Sequence, residues 1–392
     1  MSYGGDYGGY PPRSGPNQPP RRPRQPQHTA MMPLPERERQ YGDHMPPQAP
    51  NRSGPPRQRP PQGQPPIRPR PPRKRRWGVG RILLTLVLVF VVFLAGVWVY
   101  LEFSINRVDA LHDYSNRPAA ASGTNWLIVG SDSRDGLSTG DEERLRTGDS
   151  AAAGGGQRTD TIMVAHIPDN DTPATLLSLP RDSEVKVPGH GTTKINAAFS
   201  IGGPSLLVET VEQATGLRMD HYAEIGFGGF ANIVDAIGGV NMCIDKEMHD
   251  TVTDITIPAG CQDLDGAQAL GFVRMRHSEA TPRSDLDRAA NQRKFIGALV
   301  SEMSSPATFL NPFDLFPLLG AAPDALTMDS GDHVHNLVGL AWAMRGISSG
   351  GVVTTTVPVT SASAEKWDKT KSKQLFDALR GDTPIPDSAI LN

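Results

Sequence analysis

The chain has 392 residues, 38% of them hydrophobic, enough for one large domain or two ordinary ones. Its formal charge of −3 hides a split: residues 1–81 carry sixteen Lys and Arg against four Asp and Glu, leaving 23 and 38 for the rest. That asymmetry excludes a single uniform globule, and an acidic main part argues against a nucleic-acid-binding domain, whose partner demands positive charge.

Residues 1–77 form the first region. Of the 36 prolines, 21 precede residue 73, in tracts such as Arg57-Gln-Arg-Pro-Pro-Gln-Gly-Gln-Pro-Pro66. Few large apolar residues accompany them, so the segment cannot offset the entropy of ordering and is expected to be disordered with polyproline II character. Its arginines suit a solvated cytoplasmic tail near anionic lipid; nucleic-acid binding is the alternative.

Arg73-Lys-Arg-Arg76 then leads into Ile82–Leu101, 20 residues interrupted in polarity only by Thr85 and Gly96. At about 1.5 Å per residue this run crosses a bilayer core of about 30 Å. A cleaved signal peptide has a shorter core and a small-residue cleavage site, whereas Trp98-Val-Tyr-Leu101 is bulky. The expectation is an uncleaved signal anchor over 80–102. The basic flank places the N-terminus in the cytoplasm and the large domain outside, in a single-pass cell-membrane protein.

Residues 103–122 read as a stalk, and 123–385 as one layered α/β domain. Asn125–Gly130, Thr161–His166 and Ala174–Leu179 are apolar runs suited to strands buried on both faces. Pro204–Thr215, Gly228–Ile237 and Ser284–Met303 have helical spacing, and a strand over Val352–Val357 precedes a closing helix over Lys366–Leu379. Two cysteines exclude a disulfide-rich scaffold and a four-cysteine zinc site. Cys243 and Cys261, outside the membrane, suggest one bridge; a metal pair is the alternative, without a further ligand at suitable spacing.

The sequence contains no His-Glu-x-x-His, Walker A or Gly-x-Ser-x-Gly pattern. Arginine and aspartate gather at strand ends instead. Asp132 and Arg134 follow the first strand, Arg158 and Asp160 precede the second, and Arg181-Asp182 follows the third. Strand ends and their loops form the ligand crevice of open α/β sheets. In Phe272-Val-Arg-Met-Arg276, Arg274 and Arg276 alternate with apolar residues, which predicts a strand with both on one face. The apolar stripe Ile296, Leu299, Met303 extends backwards through Gln292, Arg288 and Asp285, so polar groups occupy the core-facing line of a helix start. They either overhang into solvent or line a polar cavity that favours an anion.

Several guanidiniums, each able to fork onto phosphate oxygens, imply a diphosphate. Carboxylates there would repel it unless Mg²⁺ or Mn²⁺ lay between, shared by Asp132 and Asp160. The polar, Gly/Ala-rich stretch between them, 135–157, is long enough for a mobile flap.

These residues resemble the LytR–CpsA–Psr family of cell-wall phosphotransferases over about Asn125–Leu379. The resemblance rests on Leu127–Arg134, Arg158–Val164, Leu177–Ser183, Lys194–Ala198 with Gly202-Gly203, Leu264–Leu270, Val273–Arg276 and Asp285–Gln292. It implies a three-layer α-β-α sandwich around a central mixed sheet, with a pocket for a polyprenyl diphosphate lipid. The implied reaction moves a glycopolymer from undecaprenyl diphosphate to a peptidoglycan hydroxyl, forming a phosphodiester. The family's pattern assigns Asp132 and Asp160 to the metal, and Arg158, Arg181, Arg274, Arg276, Arg288 and Gln292 to the diphosphate. Arg134 stands beside them in the first motif. Asp285 would position an arginine or activate the acceptor hydroxyl. Where the family often has an arginine before the final glutamine, Asn291 stands here. Phe199, Phe227, Phe230, Ile233 and Phe295 are candidates to line the lipid channel. Rival readings are a pyrophosphatase acting on the lipid carrier and a protein that binds lipid-linked polymer without turnover. A transcription regulator is not supported, because the tail lacks a helix-turn-helix pattern.

Overall fold

Trp126-Leu-Ile-Val129 fills the middle of the longest-buried strand pair, and the fold is built outwards from it. The computed structural model describes residues 78–391, without 134–136, 148–157, 252, 277, 306–310, 362 and the side chains of 312 and 314. The expected tail and Arg134 lie outside the described residues.

Helix α1 (Val79–Ser104) contains the whole apolar run, and none of its residues is buried by protein. It is the one candidate membrane span among the described residues. Beyond it, strands β1 (Asn106–Val108), β2 (Thr124–Ser131), β3 (Thr159–Ile167), β4 (Thr175–Ser178), β7 (His221–Gly226), β12 (Leu326–Asp329) and β13 (Val353–Thr356) form a mixed sheet ordered β1-β12-β7-β2-β3-β4-β13. Strand β2 runs antiparallel to β3, with Leu127 opposite Val164, and parallel to β7. Side chains alternate between faces. Leu127, Val129, Ile162 and Val164 pack with α3 (Ile195–Thr215) and α9 (Lys369–Arg380). Trp126, Met163 and Ala165 pack on the other face with α6 (Asp285–Met303) and α8 (Val334–Met344). These are three layers, helix-sheet-helix, as expected.

The expected stalk is not one. Residues 103–122 include β1, which pairs with β12, and Ala110, whose N–H donates to Asp329 Oδ1 at 2.9 Å inside the core. Its polar composition concealed the role, because an edge strand of three residues carries almost no periodic signal.

Other expected helices start or stop within a few residues of their observed ends. The helix expected from Pro204 is the second half of α3, which kinks at Gly203, where φ is +66°. A smaller layer holds α4 (Phe227–Ala236), α5 (Gly266–Arg274) and two hairpins, β8–β11 (Val240–Ile244 with Gly260–Leu264) and β9–β10 (Met248–Asp250 with Ile255–Ile257). Cys243 and Cys261 sit directly opposite in the first hairpin and form a disulfide. Strands β5 (Glu184–Val187) and β6 (Gly191–Lys194) make a third hairpin, and α7 (Pro312–Ala325) packs on α4.

Of the expected flap over 135–157, the described middle is ordered helix. Ser138 caps α2 (Thr139–Arg144) in a reciprocal capping box with Asp141, and Leu145 is fully buried beside Phe227 and Leu270.

Candidate active site

Strands β2, β4 and β7 end, and β3 begins, at the same edge of the sheet, so their flanking residues converge. Asp132 and Arg158 close the β2–β3 pair. The Arg158 N–H donates to Asp132 Oδ1 at 2.5 Å, and the Asp132 N–H donates to Arg158 O at 2.8 Å. Arg158 is exposed, while Asp160, two residues on, turns inward at the pocket rim.

Arg181, placed by the turn after Pro180, ion-pairs through Nη1 with Asp160 Oδ1. Burial pushes the Asp160 carboxyl up, but the Arg181 and Arg288 guanidiniums outweigh it and hold the group below the ordinary carboxylate value. Reciprocally, burial weakens the charged form of Arg181, and the Asp160 charge more than restores it. Each of Asp132 and Asp160 keeps its second carboxylate oxygen outside any hydrogen bond among the described residues.

Asp285 opens α6 and is the centre of a cationic ring. Its Oδ1 lies 2.6 Å from Arg288 Nη2, 3.2 Å from Arg276 Nε and 3.9 Å from Arg181 Nε. None of these N–H groups is aimed at that oxygen as a hydrogen bond, although Arg276 Nη2 donates to Asp285 Oδ2 at 3.4 Å, and the buried Nε atoms of Arg181 and Arg276 have no hydrogen-bond partner among the described residues. The ring therefore has attraction without saturation, and donors remain for a multiply charged anion. Burial brings the Arg288 guanidinium down to about 10 even though Asp285 opposes the shift. Gln292, one turn further, is buried and its amide donates to Val273 O at 3.1 Å.

The strand expected over Phe272–Arg276 is instead the end of α5. Asp265 and Gln268 form a capping box, and the helix runs to Arg274. The period-two pattern there was too short to outweigh that cap. The two arginines consequently diverge. Arg274 lies with its guanidinium 4.6 Å from the Phe227 ring centroid, at the pocket mouth, while Arg276 turns to Asp285.

Behind this rim is an apolar cavity of about 110 Å³ between the sheet and α4, α5 and α6. Phe227, Phe230 and Phe295 line it, as do Ile128, Leu270, Ile296 and Leu299. Phe199 does not; it packs under the opposite face of the sheet, and Ile233 is not part of the lining. Arg288, Gln292, Ile296 and Leu299 therefore form one line from the charged to the apolar end. Leu270 and Val273 stood in the sequence motifs without a role and here line the cavity from the apolar face of α5, while Lys194, also in a motif, pairs with Asp182 at 2.7 Å. Among the described residues no group of three or more His, Cys, Asp or Glu forms a ready-made metal cage.

Comparison with known proteins gives this arrangement a context. The model of the LytR_cpsA_psr family matches residues 102–381, more than half of the chain. A probable cell wall biosynthesis protein LcpB from Corynebacterium glutamicum is 52% identical over 307 residues, covering 77% of this chain and 70% of that protein. A polyisoprenyl-teichoic acid–peptidoglycan teichoic acid transferase, TagU from Enterococcus faecalis, is 36% identical over 171 residues, 43% of this chain and 52% of its own length. Among solved structures, a LytR-Csp2A-Psr enzyme from Actinomyces oris shares the fold with a TM-score of 0.55 at 21% identity, covering 71% of this chain and 96% of that one.

Proposed function

The chain belongs to the LytR_cpsA_psr family, and on that premise we propose that it transfers a glycopolymer from a polyprenyl diphosphate carrier to peptidoglycan. The observation that carries the reading is the junction of a cationic ring with a greasy cavity: Arg181, Arg276 and Arg288 around Asp285, opening onto Phe227, Phe230 and Phe295. A diphosphate on an isoprenoid tail has that same polarity in one molecule.

Arg276 and Arg288, with Arg181 and Arg274 at the rim, hold the diphosphate oxygens. Arg158, which the family resemblance also gives to the diphosphate, is exposed beside Asp132 at the same sheet edge. Asp285 positions the guanidiniums, with its Oδ1 2.6 Å from Arg288 Nη2 and 3.2 Å from Arg276 Nε. The phenylalanines exclude water from the lipid. The acceptor hydroxyl attacks the sugar-side phosphorus, the bond from that phosphorus to the bridging oxygen breaks, and polyprenyl monophosphate leaves, its freed phosphate oxygen taking up the hydroxyl's proton directly or through water. Little covalent help is required; positioning and charge neutralisation dominate such transfers.

Asp132 and Asp160 suit a hard divalent cation, since each presents an unused carboxylate oxygen on one sheet edge, and Mg²⁺ commonly takes one or two carboxylates plus substrate phosphates. These two carboxylates would hold the ion, and the chemistry it would supply there is neutralisation of phosphate charge. Helix α1 anchors the chain in the cell membrane, with the basic 73–76 flank inside and the catalytic domain outside.

The test is to supply lipid-linked oligosaccharide, Mg²⁺ and peptidoglycan fragments, then identify the products by mass. Joined glycan and polyprenyl monophosphate support the transfer. Phosphorylated free oligosaccharide alone means that water is the acceptor and the protein is a pyrophosphatase. Unchanged lipid means binding without turnover.

A further inference from the structure

Helix α8 is apolar on two sides. Leu337, Leu340 and Met344 face the core beneath the sheet, whereas Val338 and Trp342 are 61% and 69% exposed. His335, Val338 and Trp342 recur at i, i+3 and i+7, one continuous outward stripe. On α7, Phe313 and Phe316 are 84% and 59% exposed. Soluble surfaces rarely leave a group of large apolar side chains in water.

The neighbour of this patch is α1. Phe316 meets Phe93 edge to face at 6.3 Å, and His335 stacks on Trp98 at 5.9 Å. Phe93 lies eight residues before Leu101, about 12 Å along the helix, well inside the apolar run. Trp98 is the kind of ring that settles at a membrane–water boundary. A second tie fixes the angle between α1 and the domain. Glu102, just past the span, accepts from Arg107 Nη2 at 3.0 Å and from the Val334 N–H that opens α8 at 3.1 Å, and pairs with His333 Nδ1 at 2.8 Å. Arg345, one residue past α8, covers the Trp342 ring at 3.7 Å, which places a cation at headgroup level beside an interfacial tryptophan.

We propose that α7 and the outer stripe of α8 are a membrane-docking surface, so that the domain rests on the leaflet it is tethered to, with Phe313, Phe316, Val338 and Trp342 inserted in lipid. The occupant is the bilayer itself, because the patch is continuous with α1, and what surrounds Phe93 also surrounds its contact Phe316. The inference rests on α1 spanning a membrane. Ile128 and Ile296, which line the apolar end of the cavity, belong to the same apolar cluster as Leu101 of α1.

Single-cysteine labelling tests this directly, since Cys243 and Cys261 are bonded and leave no free cysteine. The full chain is reconstituted in phosphatidylethanolamine–phosphatidylglycerol vesicles carrying Phe313→Cys, Val338→Cys or Trp342→Cys with a nitroxide. Leu88→Cys in α1 and Lys373→Cys, on the exposed face of α9, serve as references. Collision with oxygen, which partitions into lipid, is compared with collision with a water-soluble nickel chelate. The three patch labels should fall between the two references, with an oxygen-to-nickel ratio several-fold above that at Lys373. Patch labels that match Lys373 while Leu88 reads as lipid overturn the docking surface and leave the span intact. Protection from both quenchers means that a second copy of the chain covers the patch, which also overturns it. A water-like Leu88 removes the span and the docking surface together.

Discussion

Arg288 Nη2 stands 2.6 Å from Asp285 Oδ1, one turn apart on α6, and both side chains face into the domain. A buried guanidinium is costly unless a carboxylate is near, yet Asp285 must serve Arg181 and Arg276 as well. Arg181 has Asp160 and Asp182 beside it as well, so among the described residues Arg276 and Arg288 are the guanidiniums that depend on Asp285 alone, and the proposed diphosphate would add the charge they lack.

Asp285→Asn sharpens that imbalance. The volume is nearly unchanged, so the cost is electrostatic, about 2–3 kcal/mol for uncovering part-buried cations. Melting curves should fall accordingly, and saturating inorganic diphosphate should raise the variant's Tm by more than the wild type's. Equal ligand-induced shifts would mean that Asp285 does not organise the ring.

Asp160 predicts a pH dependence. Its folded carboxyl titrates below the ordinary 3.8 because Arg181 and Arg288 outweigh the effect of burial. The unfolded chain therefore takes the proton first as pH falls, so the stabilisation is complete above the unfolded value and is lost as pH falls through the folded one. Stability of Asp160→Asn should decline less steeply than the wild type's below about pH 4. Parallel acid curves would show that the Arg181 pair contributes nothing.

Much of this site was legible because charge was placed where burial patterns forbade it. Arg288 and Gln292 interrupt an apolar stripe on α6, and strand ends at Gly130 and Leu179 lead straight into Asp132 and Arg181. Other parts were not legible. Arg274 and Arg276 sit in five residues whose alternation suits a strand, and the helix is decided by Asp265 and Gln268, far outside that window. Strand β1 is invisible for a different reason: its pairing with β12 joins residues more than two hundred positions apart. The cationic ring around Asp285 draws on the β4 exit, the α5 end and the α6 start, and only the fold brings them together.

The cavity makes its own prediction. Leu299→Trp should fill the apolar end without touching the charged rim. Excluding one isoprene unit forfeits several buried carbons at about 0.8 kcal/mol each, so affinity for a long polyprenyl diphosphate should drop on the order of 100-fold. Inorganic diphosphate should bind as before. Equal losses for both ligands would place the lipid elsewhere.

The disulfide is structural in this account. Cys243 and Cys261 are 18 residues apart, a loop whose closure stabilises by about 3 kcal/mol. Its strand β8 also receives Lys294 of α6, which donates to Cys243 O at 2.7 Å. Replacing both cysteines with Ser should lower Tm by several degrees and leave turnover at low temperature near the wild-type value, measured by calorimetry beside an activity assay. Loss of turnover in a folded variant would assign the bridge a role in the chemistry.

The fate of one phosphorus atom tests the central claim most directly. The full chain in vesicles receives a lipid-linked glycopolymer carrying radioactive phosphorus only at the sugar-side position, together with Mg²⁺ and peptidoglycan. Transfer predicts that the label moves into peptidoglycan as a phosphodiester, that unlabelled polyprenyl monophosphate is released, and that Asp160→Asn abolishes both. Label released as free glycopolymer phosphate at the same rate with and without peptidoglycan would contradict it.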